Sequence, residues 1–278
     1  MVGNAIRRYF ELKKILMTFM LAAAFSVVFG AAFAAQYSAK DRVSAVGENL
    51  LSKNGIPASN IKFEVTSKTV DNSTFASDRT VSISTNDLKY AGNDNETAAV
   101  VANELGHIIA GHGSRSKLVS SITGSTSSTS DDLASGLVEN YKNTKEEKEA
   151  DVIAVNLMAN AGYNPLAAIV VLTKQTSTYW DAIAGQPANA QRAMNIYDYS
   201  HYAYPNSVKS GYSCNEYKNF LAYANGILEE RKDNSKTQKK LDKELQKYRK
   251  NSVSQISKFK TRGGMSGWDA VYGILNAQ

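Results

Sequence analysis

Residues 94–110, DNETAAVVANELGHIIA, constrain this chain more than any other stretch. Ala98, Ala99, Val100, Val101, Ala102, Leu105, Ile108 and Ile109 cover a helix on nearly every side, and such a helix belongs at the centre of a domain. Asn93 stands three residues before Glu96, a capping-box spacing that opens the helix at about Asp94 and lets it run to about Ala110. Within this apolar run lies the polar string Asn103-Glu104-Leu105-Gly106-His107. Glu104 and His107 buried without partners would destabilise the fold by several kcal/mol, so neighbouring groups must compensate them.

Positions 103 and 107 lie one turn apart on one helix face, with Glu104 beside them. That is the layout of the HExxH site, in which two imidazoles at i and i+4 hold zinc and the glutamate is the general base. Here Asn103 replaces the first imidazole. Taken alone, a buried histidine and glutamate also fit a hydrogen-bonded core pair. A second helix, expected from about Thr144 to Ala161 and stopped by Gly162, changes the balance. It carries Glu147 and Asp151 on one face, which continues through Ala154 and Met158. A carboxylate from that helix can serve as a third ligand, and Asp151 can orient a ligating side chain from behind. Acidic residues favouring the helix N-terminus explain Glu146 and Glu149 but not Asp151.

The rest of the chain reads as α+β, mostly helical. Asp41 to Ser52 is expected as a helix with Val43, Val46, Leu50 and Leu51 inward. Ile61 to Val65 and Val81 to Ser84 alternate apolar and polar, as two half-buried strands that pair with each other. Residues 114–136 hold nine Ser and three Thr, a loop or flap composition. Asn164-Pro165 reads as the start of the next helix. The single cysteine, Cys214, excludes an intramolecular disulfide framework and any CxxC metal or redox motif.

At the N-terminus, Arg7, Arg8, Lys13 and Lys14 precede an apolar run from Ile15 to Phe29, and Ala32-Phe33-Ala34 supplies a small-residue cleavage site. Residues 1–34 therefore read as a signal peptide, with an uncleaved anchor over residues 15–35 as the other reading. Either way the chain is expected to be exported, to a periplasmic or extracellular location. The formal net charge of +6 then divides unevenly. Residues 226–262 hold 12 Lys+Arg against 5 Asp+Glu, whereas residues 35–225 hold 16 against 19. Residues 36–225 are the expected body and residues 226–278 a basic helical tail. Along that tail Leu241, Leu245, Tyr248, Ile256 and Phe259 recur near helical spacing among lysines and arginines. Two readings stand: peripheral contact with a membrane or acidic partner, or a solvated helix packing one stripe on the body. Export and the lack of an aromatic-interleaved basic motif disfavour nucleic acid.

Glu96-Thr97-Ala98-Ala99-Val100-Val101-Ala102-Asn103-Glu104-Leu105-Gly106-His107, followed by Gly111-His112, resembles the zinc helix of the HtpX-like and CAAX-prenyl-protease-like metallopeptidases. Glu147 to Asp151 matches the family's ExxAD element. Asn72-Ser73-Thr74-Phe75-Ala76 is similar to the segment before the family's substrate-binding edge strand, and Ala161-Gly162-Tyr163-Asn164-Pro165 is also family-like. The resemblance spans about residues 40–210. It implies a zincin-like domain with a small sheet, one zinc ion and a protein or peptide substrate. Glu104 would be the general base, His107 and Glu147 metal ligands, and Asp151 the group that orients a ligand. His201, in Ser200-His201-Tyr202-Ala203-Tyr204-Pro205, resembles the later His-Pro element whose histidine assists the transition state. There Tyr202 to Tyr204 separates His from Pro and no arginine follows in register, with Lys209 or Arg192 as substitutes. A surface histidine is the other reading of His201.

Asn103 is the main departure. An amide oxygen is a weak donor to zinc beside imidazole, and loss of even a group that orients a ligand costs ~10–100-fold. His112 lies nine residues on, ~180° around an ideal helix, and so is not expected to replace it. His201 turned inward would complete a site with His107 and Glu147. Two functions follow: a zinc endopeptidase on extended segments with a weakened metal site, or a pseudopeptidase whose groove binds peptide or protein without hydrolysis.

Overall fold

The computed structural model describes residues 38–59, 61–68, 75–115, 132–175 and 187–276. In chain order its elements are α1 (Ala39–Lys53), β1 (Lys62–Thr66), α2 (Phe75–Asp78), β2 (Thr80–Ser84), α3 (Thr85–Leu88), α4 (Asp94–Ala110), α5 (Asp132–Asn160), α6 (Ala167–Lys174), α7 (Pro187–Ala203), α8 (Pro205–Val208), α9 (Asn215–Lys232), α10 (Ser235–Thr261) and α11 (Gly267–Asn276). The expectations for the leader (residues 1–34), Asn72-Ser73-Thr74 and most of the Ser/Thr-rich segment (116–131) lie outside the described residues.

Helix α4 forms where its capping signals place it. The Asn93 side chain accepts the Glu96 N–H at 3.1 Å. The Glu96 carboxylate reaches back to the Gly92 N–H at 2.6 Å and receives Lys174 Nζ at 2.8 Å. Gly111, at φ 73°, ends the helix in the left-handed conformation that glycine adopts without penalty. Between these caps α4 is buried nearly all round, and it packs on α1, α5 and α6. Its approach to α5 is close because Gly106 has no side chain: a Cβ there would stand 2.5 Å from the Ala150 carbonyl oxygen.

The sheet is the expected pair, β1 with β2, and it is parallel, with Phe63 opposite Val81 and Val65 opposite Ile83. A parallel pair needs a crossover of about a dozen residues or more, and residues 67–79, including α2, supply it. Helix α1 backs the sheet, with Gly47 giving room for the Phe63 ring.

Two apolar clusters meet at α5. Ile153 and Leu157 join the cluster of α1, the sheet and α4, and Val152 and Val155 join that of α6, α7 and α9. Between them Asn156 is buried but satisfied, accepting from Tyr199 Oη at 2.8 Å and Tyr204 Oη at 2.9 Å and donating to Ser252 Oγ at 2.7 Å. Helix α10 lays one stripe on the body. Leu245 enters the second cluster and Phe259 the first, where its ring stacks on Phe75 at 6.3 Å.

Two boundaries differ from the sequence reading. Helix α5 starts at Asp132 and not near Thr144, because Leu133, Leu137, Val138 and Tyr141 keep helical spacing through a stretch whose Ser and Gly content suggested a loop. Asn164 begins a turn, its Oδ1 accepting the Leu166 N–H at 3.0 Å, and regular helix starts only at Ala167.

Candidate functional site

The contact at Gly106 and Ala150 decides which polar groups meet, because it brings one face of α4 onto the central turns of α5. Asn103, Glu104, Glu147 and Asp151 line a cleft of about 260 Å³, with Asp87 from α3 and Arg192 from α7. Ala99, Ala154, Ala168 and Val171 are among its apolar walls.

Asp151 lies at its centre and is only 4% exposed. It accepts the Asn103 Nδ2–H at 2.9 Å, the Arg192 Nε–H at 2.8 Å and the Arg192 Nη2–H at 2.8 Å. The guanidinium thus grips the carboxylate with two parallel bonds, the strongest arrangement open to this pair. Arg192 Nη2 also stands 2.9 Å from Glu147 Oε2, while His107 Nε2 stands 3.3 Å from Glu147 Oε1. Burial pushes the Glu147 carboxyl up, but His107 and Arg192 outweigh it and hold the group at about 2. Burial pulls the His107 imidazole down, and the Glu147 bond, with Glu104 and Asp151 nearby, raises it overall. Burial likewise works against the Arg192 charge, and Asp151 and Glu147 more than restore it. Asp87 is pushed up by burial and by Glu147, against the pull of Arg192.

On its other side the His107 ring meets His112, Nδ1 to Nδ1 at 2.9 Å. His112 is itself buried, and its Nε2 stands 3.2 Å from Glu149 Oε2. Gln255 of α10 donates to Glu149 Oε1 at 2.6 Å. Both carboxylates only accept, and the contact between the rings takes one proton. With every contact bonded, the four ring nitrogens hold three protons, and the pair carries one positive charge. A neutral His107 bonded in this way keeps its proton on Nε2, donates that N–H to Glu147 and has no free lone pair at that nitrogen.

The sequence-derived residues therefore divide. The structure brings Asn103, Glu104, His107, Glu147 and Asp151 together. His201 does not join them: it sits exposed in the last turn of α7, its Nδ1 2.8 Å from the Tyr197 carbonyl oxygen and its ring 4.0 Å from that of Tyr197. Arg192, weighed only as a substitute in a loosely matched element, is the charged α7 residue that reaches the cleft, beside Ile196. His112 was set aside on the angle of an ideal helix. The left-handed Gly111 ends that helix and folds His112 back onto His107. The glycine before His112 was the signal available.

A zinc site of the HExxH type needs three protein donors and one open position. Among the described residues no group of three His, Cys, Asp or Glu side chains is placed to hold a metal ion. The third position is Asn103, whose amide hydrogen faces Asp151, and one Glu147 oxygen is taken by Arg192. These donors do not fit a three-ligand zinc centre, and Arg192 already supplies positive charge between the two carboxylates.

No curated protein and no solved structure matches the chain. A model of peptidase family M48 matches residues 38–209, a span that runs from α1 through α8 and holds every residue of the cleft. With its mostly helical α+β fold, its small sheet and its paired α4 and α5, the chain belongs to peptidase family M48, a family of metallopeptidases.

Proposed function

We propose that this chain is a pseudopeptidase of the metallopeptidase family, exported from the cytoplasm, which holds extended protein segments in the retained cleft and does not hydrolyse them efficiently. The observation that carries the reading is the Asn103–Asp151–Arg192–Glu147 network. In it the amide takes the place of an imidazole ligand, and a guanidinium holds the carboxylates that a metal centre would use.

The peptide-binding half of the proposal rests on β2. Among the described residues β2 pairs with no strand but β1, which leaves its other edge without a strand partner and suited to an added one. The strand leads directly into α3, capped by Ser84, and Asp87 of that helix lines the cleft. An extended segment laid along β2 would therefore run toward a space large enough for a side chain or two.

Binding of fluorescently labelled, unfolded casein to the purified protein tests this reading. Saturable binding without fragments is expected, weakened at least tenfold in Ala168→Trp, which fills the cleft from α6. Absence of binding, or equal binding in the filled variant, would remove it. A second reading, a slow zinc endopeptidase, is favoured by the retention of Glu104, His107, Glu147 and Asp151 together, and release of casein fragments would support it.

A further inference from the structure

Helix α10 carries charge that the cleft does not use. At about 100° per residue, Lys236, Lys239, Lys240, Lys243, Lys247 and Lys250 fall within roughly a third of its circumference, opposite the buried stripe of Leu245, Ser252 and Phe259. All six are exposed, none is in an ion pair among the described residues, and no acidic side chain of the helix shares their arc. From Lys236 to Lys250 the row is about 21 Å long.

The next helix is apolar outward. Of the six exposed large apolar side chains among the described residues, five lie on α10 and α11: Val253, Trp268, Val271, Ile274 and Leu275. The four on α11 occupy about one third of its circumference, and Ile274 is 71% exposed. Trp268 also rests against the end of α4, where a Cβ on Gly111 would stand 2.8 Å from its Cδ1. Asp269, on another face, accepts from Ser114 Oγ at 2.5 Å and from the Ser266 N–H at 2.7 Å.

We propose that this end of the molecule docks on an anionic phospholipid bilayer, with the α10 lysines against the headgroups and the outer face of α11 in the interface. A lysine row alone would serve any polyanion. The exposed Val253 of the same helix, and the exposed Trp, Val, Ile and Leu of the helix that follows it in the chain, favour a partner with an apolar phase, the combination that holds amphipathic helices at membrane surfaces. No described helix is long and apolar enough to cross a membrane, so the contact is peripheral.

Trp268 is the probe, because residues 15–35 of the full chain are apolar and can bring it to vesicles by themselves. In a Trp180→Phe background Trp268 is the only tryptophan. Its quenching by acyl-chain-brominated lipid is expected in phosphatidylglycerol vesicles at low salt. Quenching should fall several-fold in high salt, in Lys239→Glu/Lys243→Glu/Lys250→Glu, and in Ile274→Asp/Leu275→Asp, and be absent on phosphatidylcholine. No quenching on phosphatidylglycerol, equal quenching on phosphatidylcholine, or quenching indifferent to both sets of substitutions overturns the proposal. So does lysine-dependent binding of soluble poly-glutamate with no quenching on vesicles, which assigns the face to an acidic protein. Circular dichroism of both variants, which alter exposed positions only, confirms the fold in each arm.

Discussion

Replacing Gly106 with alanine tests the contact on which the cleft depends. A Cβ at that position would stand 2.5 Å from the Ala150 carbonyl oxygen, 2.9 Å from its Cα and 3.0 Å from its carbonyl carbon. Ordinary contact begins at 3.4 Å, so α4 and α5 must part by nearly the difference. The obstructing atoms are backbone, and no side-chain rotation relieves them. Two effects oppose each other. Helix propensity favours alanine over glycine by about 1 kcal/mol, whereas overpacking costs about 1–3 kcal/mol and occasionally more. Because the obstruction is backbone, the larger cost applies, and the expected net loss is about 1–2 kcal/mol, or roughly 2–8 °C in Tm for a unit of this size. Parting the helices also lengthens Asn103–Asp151 and His107–Glu147. Urea and thermal unfolding followed by circular dichroism measure the loss. A variant as stable as the wild type, or more so, would mean that propensity wins and would refute the close approach.

Three further outcomes follow from the same contacts. Arg192→Ala leaves Asp151 buried with only Asn103 as partner, and loss of about 3 kcal/mol is expected; a double-mutant cycle with Asp151→Asn should recover much of it. Burial raises the Glu96 carboxyl, but Lys174, the Gly92 N–H and Tyr212 outweigh burial and lower it below the usual 4.5. The stability from Glu96 is therefore complete above about pH 4.5 and lost as pH falls through the lowered folded value. Glu96→Gln should be less stable than the wild type at neutral pH and lose that deficit in acid, which urea titrations across pH will measure. Phe259→Ala should cost about 3–5 kcal/mol in the same assay, because Phe259 belongs to the core that holds α4; a loss below about 1 kcal/mol would leave α10 a loosely attached tail.

The sequence made the centre of the fold legible because its signals are local. Asn93 and Glu96 mark one end of α4 and Gly111 the other, and the side chains between require burial. Alternation at residues 61–65 and 81–84 identifies the strands, although nothing in it sets their parallel sense. Within the site, Asn103, Glu104 and His107 are linked by helical spacing, and Glu147 and Asp151 by the same rule on α5. What joins the two sets is a close helix contact, visible beforehand only as an unremarked glycine at 106. Arg192 comes from a helix some 40 residues away, and its role is set by packing. For His201 the sequence left two readings, the histidine of the later His-Pro element and a surface histidine, and it lies exposed at the solvent end of that same helix. His112 illustrates a different failure: an angle computed for a continuous helix does not hold beyond a left-handed residue.

The central claim is that the network around Asn103 has replaced a working metal centre. The most direct measurement is zinc content with casein hydrolysis, for the wild type beside Asn103→His and Glu104→Gln. The wild type is expected to hold little zinc and release no fragments above the Glu104→Gln background, with any zinc uptake or cleavage confined to Asn103→His. One equivalent of zinc in the wild type, with cleavage abolished by Glu104→Gln, would contradict it.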